Sequence, residues 1–567
     1  MKRIILGVLF VLITAITSNA AILIYSPNGT SVPSAATLNA TLNRVDVAGK
    51  VVELTSPVTL AVATVVPSGV TLKVRPGAAV TTTGYTLTFA AGSHFDCGRW
   101  QAFTGTGNVT FNNGQSEFYP EQWGVSVYQT VALAVTGATN TADTTAILKM
   151  FTDISASNND SSYLNSGGTV RFPSGVIRTG AVDLRGKQNI SVKGQGMSSS
   201  IWVSAGTVNP FIRRGKSTNV AQAMYSVWED IHLLGGGSAN VILQDDYASW
   251  FTLNRVNIEG DDSTVVSYYS YGSLSYTLRD SVIRGGTSYA VDVFGVNATW
   301  DTANNITLEQ NEIHSAVGTG FRFQGGNTFR MIGGAVEGCG TGGIVVTNTN
   351  STGIGPAALF KGVHLENNGG KDYDIGTGAG FRNIVKIEDG ISIGNSSTST
   401  YGLYVAGGTN GATVYVNNHE FVGHITKDIY TTDDAATVTG QLTDVVAGTV
   451  TLSSSLRYNT HMVTGAYARQ DNYHTAQQTV PLTNSGATPD VTFGQIFYVT
   501  NASAQNITNF VGTDGQIIYV TFADINTTVK YNASYIVLNP ASDYTSTIHG
   551  TLTLMNRSGV WYQIGKV

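Results

Sequence analysis

Charge is scarce in this chain: 12% of its 567 residues are Asp, Glu, Lys or Arg, and the formal net charge is only -6. No basic stripe is present to neutralise a phosphate backbone, so nucleic acid is excluded as a partner. Cysteine is nearly absent. Cys97 and Cys339 are the two present, and on one elongated stack they lie beyond the roughly 4.4–6.8 Å between Cα atoms that a disulfide tolerates, so two free, buried thiols are expected. Beyond the first 20 residues no apolar run reaches the ~20 residues of a membrane span, so the mature chain is expected to lack a transmembrane segment. Gly-rich phosphate motifs are missing too, which argues against a nucleotide-dependent enzyme. Helical periodicity is rare along the chain, and with 65 glycines and 26 tyrosines the composition favours an elongated all-β protein.

The start is different. Lys2-Arg3, the apolar run Ile4 to Ile13 and the small residues Ser18-Asn19-Ala20 read as a secretory signal over residues 1–20. The expected location is therefore the periplasm, the cell surface or the medium.

What the chain does contain is a repeat. A short apolar alternation closing on Gly, Asn or Ser ends at Gly235, Gly260, Gly285, Ser315, Gly338, Asn367, Asn395 and Gly423, in steps of 25, 25, 30, 23, 29, 28 and 28 residues. Between copies lie two more short apolar runs, such as Val241-Ile242-Leu243 and Phe251-Thr252-Leu253. Their period is two, so each unit is a coil of three strands. Such strands cannot bury a face alone and must stack in parallel on the next coil, about 4.8 Å away. The expected fold is a right-handed parallel β-helix, the hand following the general rule for parallel crossovers.

Around this ladder four regions are expected: the signal, short β-coils or a cap over 21–117, the β-helix over 118–435, and a small antiparallel β-domain over 436–567 ending in Val560-Trp561-Tyr562-Gln563-Ile564. One helix is expected near 143–155, capped by Asp143, with Ile147, Met150, Phe151 and Ile154 as its apolar face. A terminal domain has a physical task, since a solenoid must close its open end.

Four motifs follow one another here: Tyr119-Pro120-Glu121-Gln122-Trp123-Gly124, Asp143-Thr144-Thr145-Ala146-Ile147, Gly167-Gly168-Thr169-Val170-Arg171-Phe172-Pro173-Ser174-Gly175 and Ile190-Ser191-Val192-Lys193-Gly194-Gln195-Gly196. In this order they resemble the pectate-lyase superfamily, in particular its branch of polygalacturonase-like enzymes, epimerase-like domains and phage tailspikes. The resemblance covers about residues 118–200, and the repeats extend it to about 430. It implies a polysaccharide partner, and a C-terminal domain placed like those that cap β-helices or hold tailspikes as homotrimers. The paired Asp that normally precedes the helix is absent, as are the signatures of typical pectin hydrolases, so the chemistry must be sought in the ladder.

Register then supplies candidates. With Leu233, Ile258, Ile283, Ile313, Val336, Leu365, Ile393 and Phe421 facing inward, the flanking residues face solvent. One outward column reads Leu234, Glu259, Arg284, His314, Glu337, Glu366, Gly394, Val422, and the other His232, Asn257, Val282, Glu312, Ala335, His364, Ser392, Glu420. For glycoside hydrolysis, Glu337 with Glu366 or Glu312 offers the two carboxylates, about 5–5.5 Å apart for retention or 6.5–9.5 Å for inversion. For β-elimination on a uronate, Arg284 or His314 is the base, and Glu259, Asp261 and Asp262 supply oxygen ligands for Ca²⁺. His364 and the loop residues Trp300 and Asp301 are candidates for holding the sugar. The alternative is an exposed ladder of ordinary paired charges.

Less weight falls on Asp292 and Arg322, which align on adjacent coils as an exposed ion pair, and on Asp245-Asp246 as a metal site in a turn. The functional expectation is a secreted lyase or glycoside hydrolase acting on an extracellular, acidic polysaccharide. The alternatives are a non-catalytic carbohydrate-binding adhesin and a tailspike-like depolymerase.

Overall fold

The computed structural model describes residues 22–25, 31–32, 37–136, 141–156, 167–216, 222–236, 240–261, 263–295, 303–348, 357–378, 383–395, 397–406, 412–431, 437–441, 445–446, 479–483, 486–492 and 494–566. They belong to two compact units, Met1–Arg457 and Tyr458–Val567. The proposed signal peptide, Trp300, Asp301 and Asp262 lie outside the described residues.

The first unit is a right-handed parallel β-helix with one continuous apolar core from Ile22 to Ile429. It opens with narrow three-sided coils. Val51–Leu54, Thr71–Val74 and His94–Cys97 stack in parallel, and Thr64–Val66, Leu87–Phe89 and Val109–Phe111 form a second side. Alternation fits this shape: Leu72, Val74, Leu87 and Phe89 point inward and are fully buried. Phe89, Phe111, Phe118 and Trp123 continue the core towards the main ladder through ring contacts of 4.9–6.1 Å.

The helix forms over Thr141–Ala156. Ile147, Met150, Phe151 and Ile154 are its buried face, as the spacing requires. Asp143 is not its cap. It sits inside the first turn, buried, where its Oδ1 accepts from the Ser126 backbone N–H at 3.1 Å and lies 3.3 Å from the Ser126 hydroxyl. A short helix, Val131–Thr136, precedes it in addition to the one helix expected.

In the main ladder each coil contributes three strands, for example Asn304–Glu309, Glu312–His314 and Thr319–Gln324. The first two belong to one long sheet of 21 strands and the third to a sheet of ten, counted among the described residues. Between the first two strands each coil places one residue in the left-handed region: Asp230, Arg255, Asp280, Gln310, Gly333, Gly362, Asp389 and Asn418, with φ from 49° to 65°. Gly333 and Gly362 fill this position without a steric penalty; the others are mainly Asp, Asn and Gln, whose short polar side chains bond locally, and Arg255 is held by Asp230 at 2.7 and 2.9 Å.

The predicted register holds through Leu365. Leu233, Ile258, Ile283, Ile313, Val336 and Leu365 are mutual neighbours in the stack and fully buried. It slips by one at the next coil. Leu365 pairs with Ser392 rather than Ile393, so Ser392 is buried while Ile391 and Ile393 face outward. The cause is a polar group inside the core that the Ser392 hydroxyl joins at 2.6 Å from Asp372 Oδ2. Beyond residue 435 the ladder still continues, with Thr437–Gln441 stacked on Thr413–Asn417 and Val445–Val446 on Phe421 and Val422.

The second unit has its own core, from Val491 to Trp561. Its six-stranded sheet is mixed. Ile517–Phe522, Thr551–Arg557 and Val560–Lys566 pair antiparallel, while Thr479–Thr483 and Ile496–Thr500 pair in parallel. Both cysteines are free. Cys339 is buried, but Cys97 is only partly so, and burial pushes the thiol pKa up to about 11 and about 12 respectively.

Candidate functional site

The outward strip of the long sheet divides into two clusters. In the first, Glu259 is held by two partners: its Oε2 accepts from the Arg284 guanidinium and lies 2.9 Å from His232 Nε2. Burial, aided by the Arg284 charge, outweighs the pull of Glu259 and holds His232 below the usual imidazole range. Asp261 is occupied as well. Its Oδ1 closes its own turn by accepting from the Ser263 N–H at 3.0 Å, the Ser263 hydroxyl at 2.7 Å and the Thr264 hydroxyl at 3.0 Å. Glu259 and Asp261 are thus committed to different partners, and Asp262, the third residue expected to bind Ca²⁺, lies outside the described residues. Arg284, bonded to Glu259, is likewise poorly placed as a base.

The second cluster lies on the next coils. Strands Ala335–Glu337 and His364–Glu366 stack so that Glu337 is directly beside Glu366 and His364 beside Ala335. His364 stands between the two acids, with Nδ1 3.9 Å from Glu337 Oε1 and Nε2 3.5 Å from Glu366 Oε2. One ligand atom from each residue lies within 4.8 Å of the other two, and among the described residues this is the group with the spacing to hold a metal ion. Asn367 donates to Glu366 at 3.1 Å. All three side chains are partly exposed on a surface fixed by backbone ladders on both sides.

The strip is bounded. Towards the N-terminal side His314, with Nδ1 3.0 Å from the Ser315 hydroxyl, sits beside both Arg284 and Glu337 in the stack, and Glu312 is exposed on the same strand. On the other side the slipped register puts Ile391 and Ile393 next to His364 and Glu366. Of the residues expected on this strip, the structure therefore gathers Glu337, Glu366 and His364, leaves Glu312 and His314 as their flank, and sets Glu259 and Arg284 apart.

The ten-stranded sheet carries more than expected. Arg322 grips Asp292 through two bonds of 2.8 and 2.6 Å, donates to the Tyr289 hydroxyl at 2.9 Å and lies 4.0 Å above the Tyr289 ring. The pair is not the exposed one anticipated, since the Asp292 side chain is only 3% exposed. Tyr269 is in register beside Asp292, Tyr271 stacks on Phe294 at 5.6 Å, and Tyr401, Tyr404 and Tyr430 pack together three and four coils beyond Arg322. These rings alternate with buried residues on their strands. The signal was visible as period-two tyrosines, but isolated rings read equally well as core.

Asp245 and Asp246 face opposite ways. Asp245 is inside, bonded to Arg214 at 2.7 and 2.8 Å and to the Tyr268 hydroxyl at 2.9 Å, while the Arg214 guanidinium lies between Trp228 and Phe251. Asp246 is paired with Arg213 and accepts from Gln244. The adjacent carboxylates are therefore ion-pair partners of two arginines, not a metal site in a turn.

Comparison with known proteins finds only remote likenesses. No protein-family model matches the chain, and no curated protein does. Among solved structures it is similar to an Acinetobacter phage tailspike (11% identity, 80% of this chain and 81% of that one, TM-score 0.42) and to the A-module of mannuronan C-5 epimerase AlgE4 from Azotobacter vinelandii (16%, 60% and 95%, TM-score 0.35). It is also similar to the catalytic unit of a GH87 alpha-1,3-glucanase from Streptomyces thermodiastaticus (12%, 57% and 67%, TM-score 0.31). With every one of these TM-scores below 0.5, the functional argument rests on this chain's own side chains.

Proposed function

We propose that this chain is a secreted polysaccharide-processing protein whose working residues are Glu337, His364 and Glu366. One observation carries the reading: two carboxylates and an imidazole converge within 4.8 Å on an outward face built of rigid strands. Carboxylate oxygens no more than 4.8 Å apart are nearer to the about 5–5.5 Å between carboxyl groups that double displacement uses than to the wider gap that direct attack by water needs. One carboxylate attacks the anomeric carbon while the other protonates the leaving oxygen and later activates water. His364, between them, orients both. β-Elimination has less support, because Arg284 is bonded to Glu259, which leaves His314 of the two expected bases.

A cation, where the chemistry uses one, would find its donors at Glu337, His364 and Glu366, and an imidazole ligand favours zinc or manganese over Ca²⁺. The test is incubation with acidic and neutral polysaccharides, with and without chelator, following reducing ends and ultraviolet absorbance. New ends without absorbance, insensitive to chelator, support the two-carboxylate hydrolase. Absorbance appearing with the ends replaces it with a lyase.

A second reading has its own observation. The tyrosines outside the ten-stranded sheet provide flat rings of the kind that stack on sugars, so binding without turnover is the outcome if both signals stay silent while one polymer is retained. Assembly as a homotrimer belongs to the same proposal and is read by sedimentation.

A further inference from the structure

The polar group that shifts the register of Ser392 has a design of its own. Asp372 lies on strand Gly370–Gly378, Ser392 on Ile391–Ile393, His424 just after Glu420–Val422 and Asp428 on Lys427–Thr431. The side chains of His424, Asp372 and Asp428 are at most 1% exposed. His424 Nε2 is 2.9 Å from Asp372 Oδ2, and its Nδ1 is 2.8 Å from Asp428 Oδ1. Ser392 Oγ lies 3.3 Å from His424 Nε2. Ser, His and Asp are thus spaced as in a nucleophile triad. They are sealed from solvent, however, and the hydroxyl is directed at Asp372, so no substrate reaches them.

The ring has a place made for it. In the ten-stranded sheet the pairs Tyr373 with Leu403 and Leu403 with Ile429 put Gly402 between Asp372 and Asp428 in the stack. A Cβ at Gly402 would come within 2.8 Å of His424 Cε1 and 2.7 Å of the Asp428 carbonyl oxygen. The imidazole fills the space that the missing side chain leaves, and so bridges carboxylates two coils apart.

This geometry selects a protonation state. A neutral imidazole has one N–H and one lone pair, so one ring nitrogen would face a carboxylate without a proton; the imidazolium donates to both. Among the described residues, the other groups in contact with these side chains bring no positive charge. Asn368 donates to Asp372 at 3.0 Å, and Cys339 and Tyr373 are kept protonated and neutral by burial and by the Asp372 charge. His419, packed on Tyr373 and Phe421, is pushed down to about 3 by burial and stays neutral. Asp428 Oδ2 is buried and has no hydrogen-bond partner.

We propose that protonated His424 is a pH-controlled latch that fastens the coils between residues 370 and 431 by bridging Asp372 and Asp428 across Gly402. Burial alone would lower its pKa, but the hydrogen bonds and charges of Asp372 and Asp428 outweigh it and raise the pKa above the ordinary value of 6.5. The sign follows. The latch is complete below about pH 6.5, weakens as pH rises and is gone above the folded pKa; between those limits local opening increases by up to about tenfold per pH unit, one proton being released.

The test is hydrogen exchange on the full-length protein between pH 6 and 9, corrected for the intrinsic rate, comparing peptides covering 399–406 and 420–431 with a control from 248–261. Opening that grows with pH only in the first two, and becomes pH-independent in His424→Gln, supports the latch. Equal behaviour of all three peptides in the wild type overturns it, and that comparison stands even if the variant does not fold. An unchanged slope in a folded His424→Gln also overturns it. No sugar enters the assay, so its result is independent of whether the outer strip is catalytic.

Discussion

Replacing Glu337 by Gln should move activity and stability in opposite directions. Glu337 and Glu366 are in direct register on neighbouring coils, with ligand oxygens within 4.8 Å, and the residue paired between them is the partly exposed His364. Two like charges at that distance repel by about 0.9 kcal/mol even at the dielectric constant of water, and salt reduces this. Gln keeps the shape and removes the repulsion, so the variant should be more stable by about 0.3–0.9 kcal/mol at low ionic strength, with the gain shrinking as salt is added. Turnover should fall by about 10²–10⁴, the usual contribution of a positioned acid or base. The assays are urea unfolding followed by intrinsic fluorescence, and reducing-end release on whichever polymer the panel identifies. Full activity in Glu337→Gln would refute the assignment. So would a stability loss above about 1 kcal/mol, which would make the residue part of the scaffold.

Inside the solenoid, Asp245→Asn should destabilise by about 3–5 kcal/mol by leaving the Arg214 guanidinium buried without its counter-ion, whereas a joint Arg214→Met and Asp245→Leu replacement should restore most of the loss; a double variant as weak as the single one would disprove this. Thiol titration should register fewer than two reactive groups in the native protein and two after denaturation, since Cys339 is buried and both thiols are poorly ionised. Immediate reaction of both at neutral pH would contradict the packing. Zinc or manganese added to protein treated with chelator should bind in a way that His364→Ala removes and Glu259→Gln does not, as judged by calorimetry.

Much of the β-helix could be read from residues because its periodicities are local. The alternation that buries Leu233, Ile258, Ile283, Ile313, Val336 and Leu365 is set by the pleat, and the steps between copies by the coil. The reading failed where a distant partner decided the outcome. Ile391-Ser392-Ile393 has the pattern of two buried isoleucines, and nothing nearby reveals that Asp372 and His424 draw the serine inward instead. Asp143 has a cap's sequence context, yet Ser126 claims its carboxylate. On the strip, register alone brought Glu337, His364 and Glu366 together, but the capture of Glu259 by Arg284 and His232 depends on side-chain reach across coils, which spacing does not encode. Asp292 and Arg322 aligned as expected, while their burial depends on the tyrosines stacked around them.

The left-handed residue that recurs once per coil, from Asp230 to Asn418, behaves like the tooth of a gear. Each one re-phases the backbone before the next short strand, so a length difference accumulated elsewhere in a coil is not passed on. Coils of 23 and 30 residues can therefore stand side by side with their faces in line. A whole coil can be removed or duplicated at these points without scrambling its neighbours, which makes the length of the outer face a quantity that evolution or an engineer can adjust in integer steps.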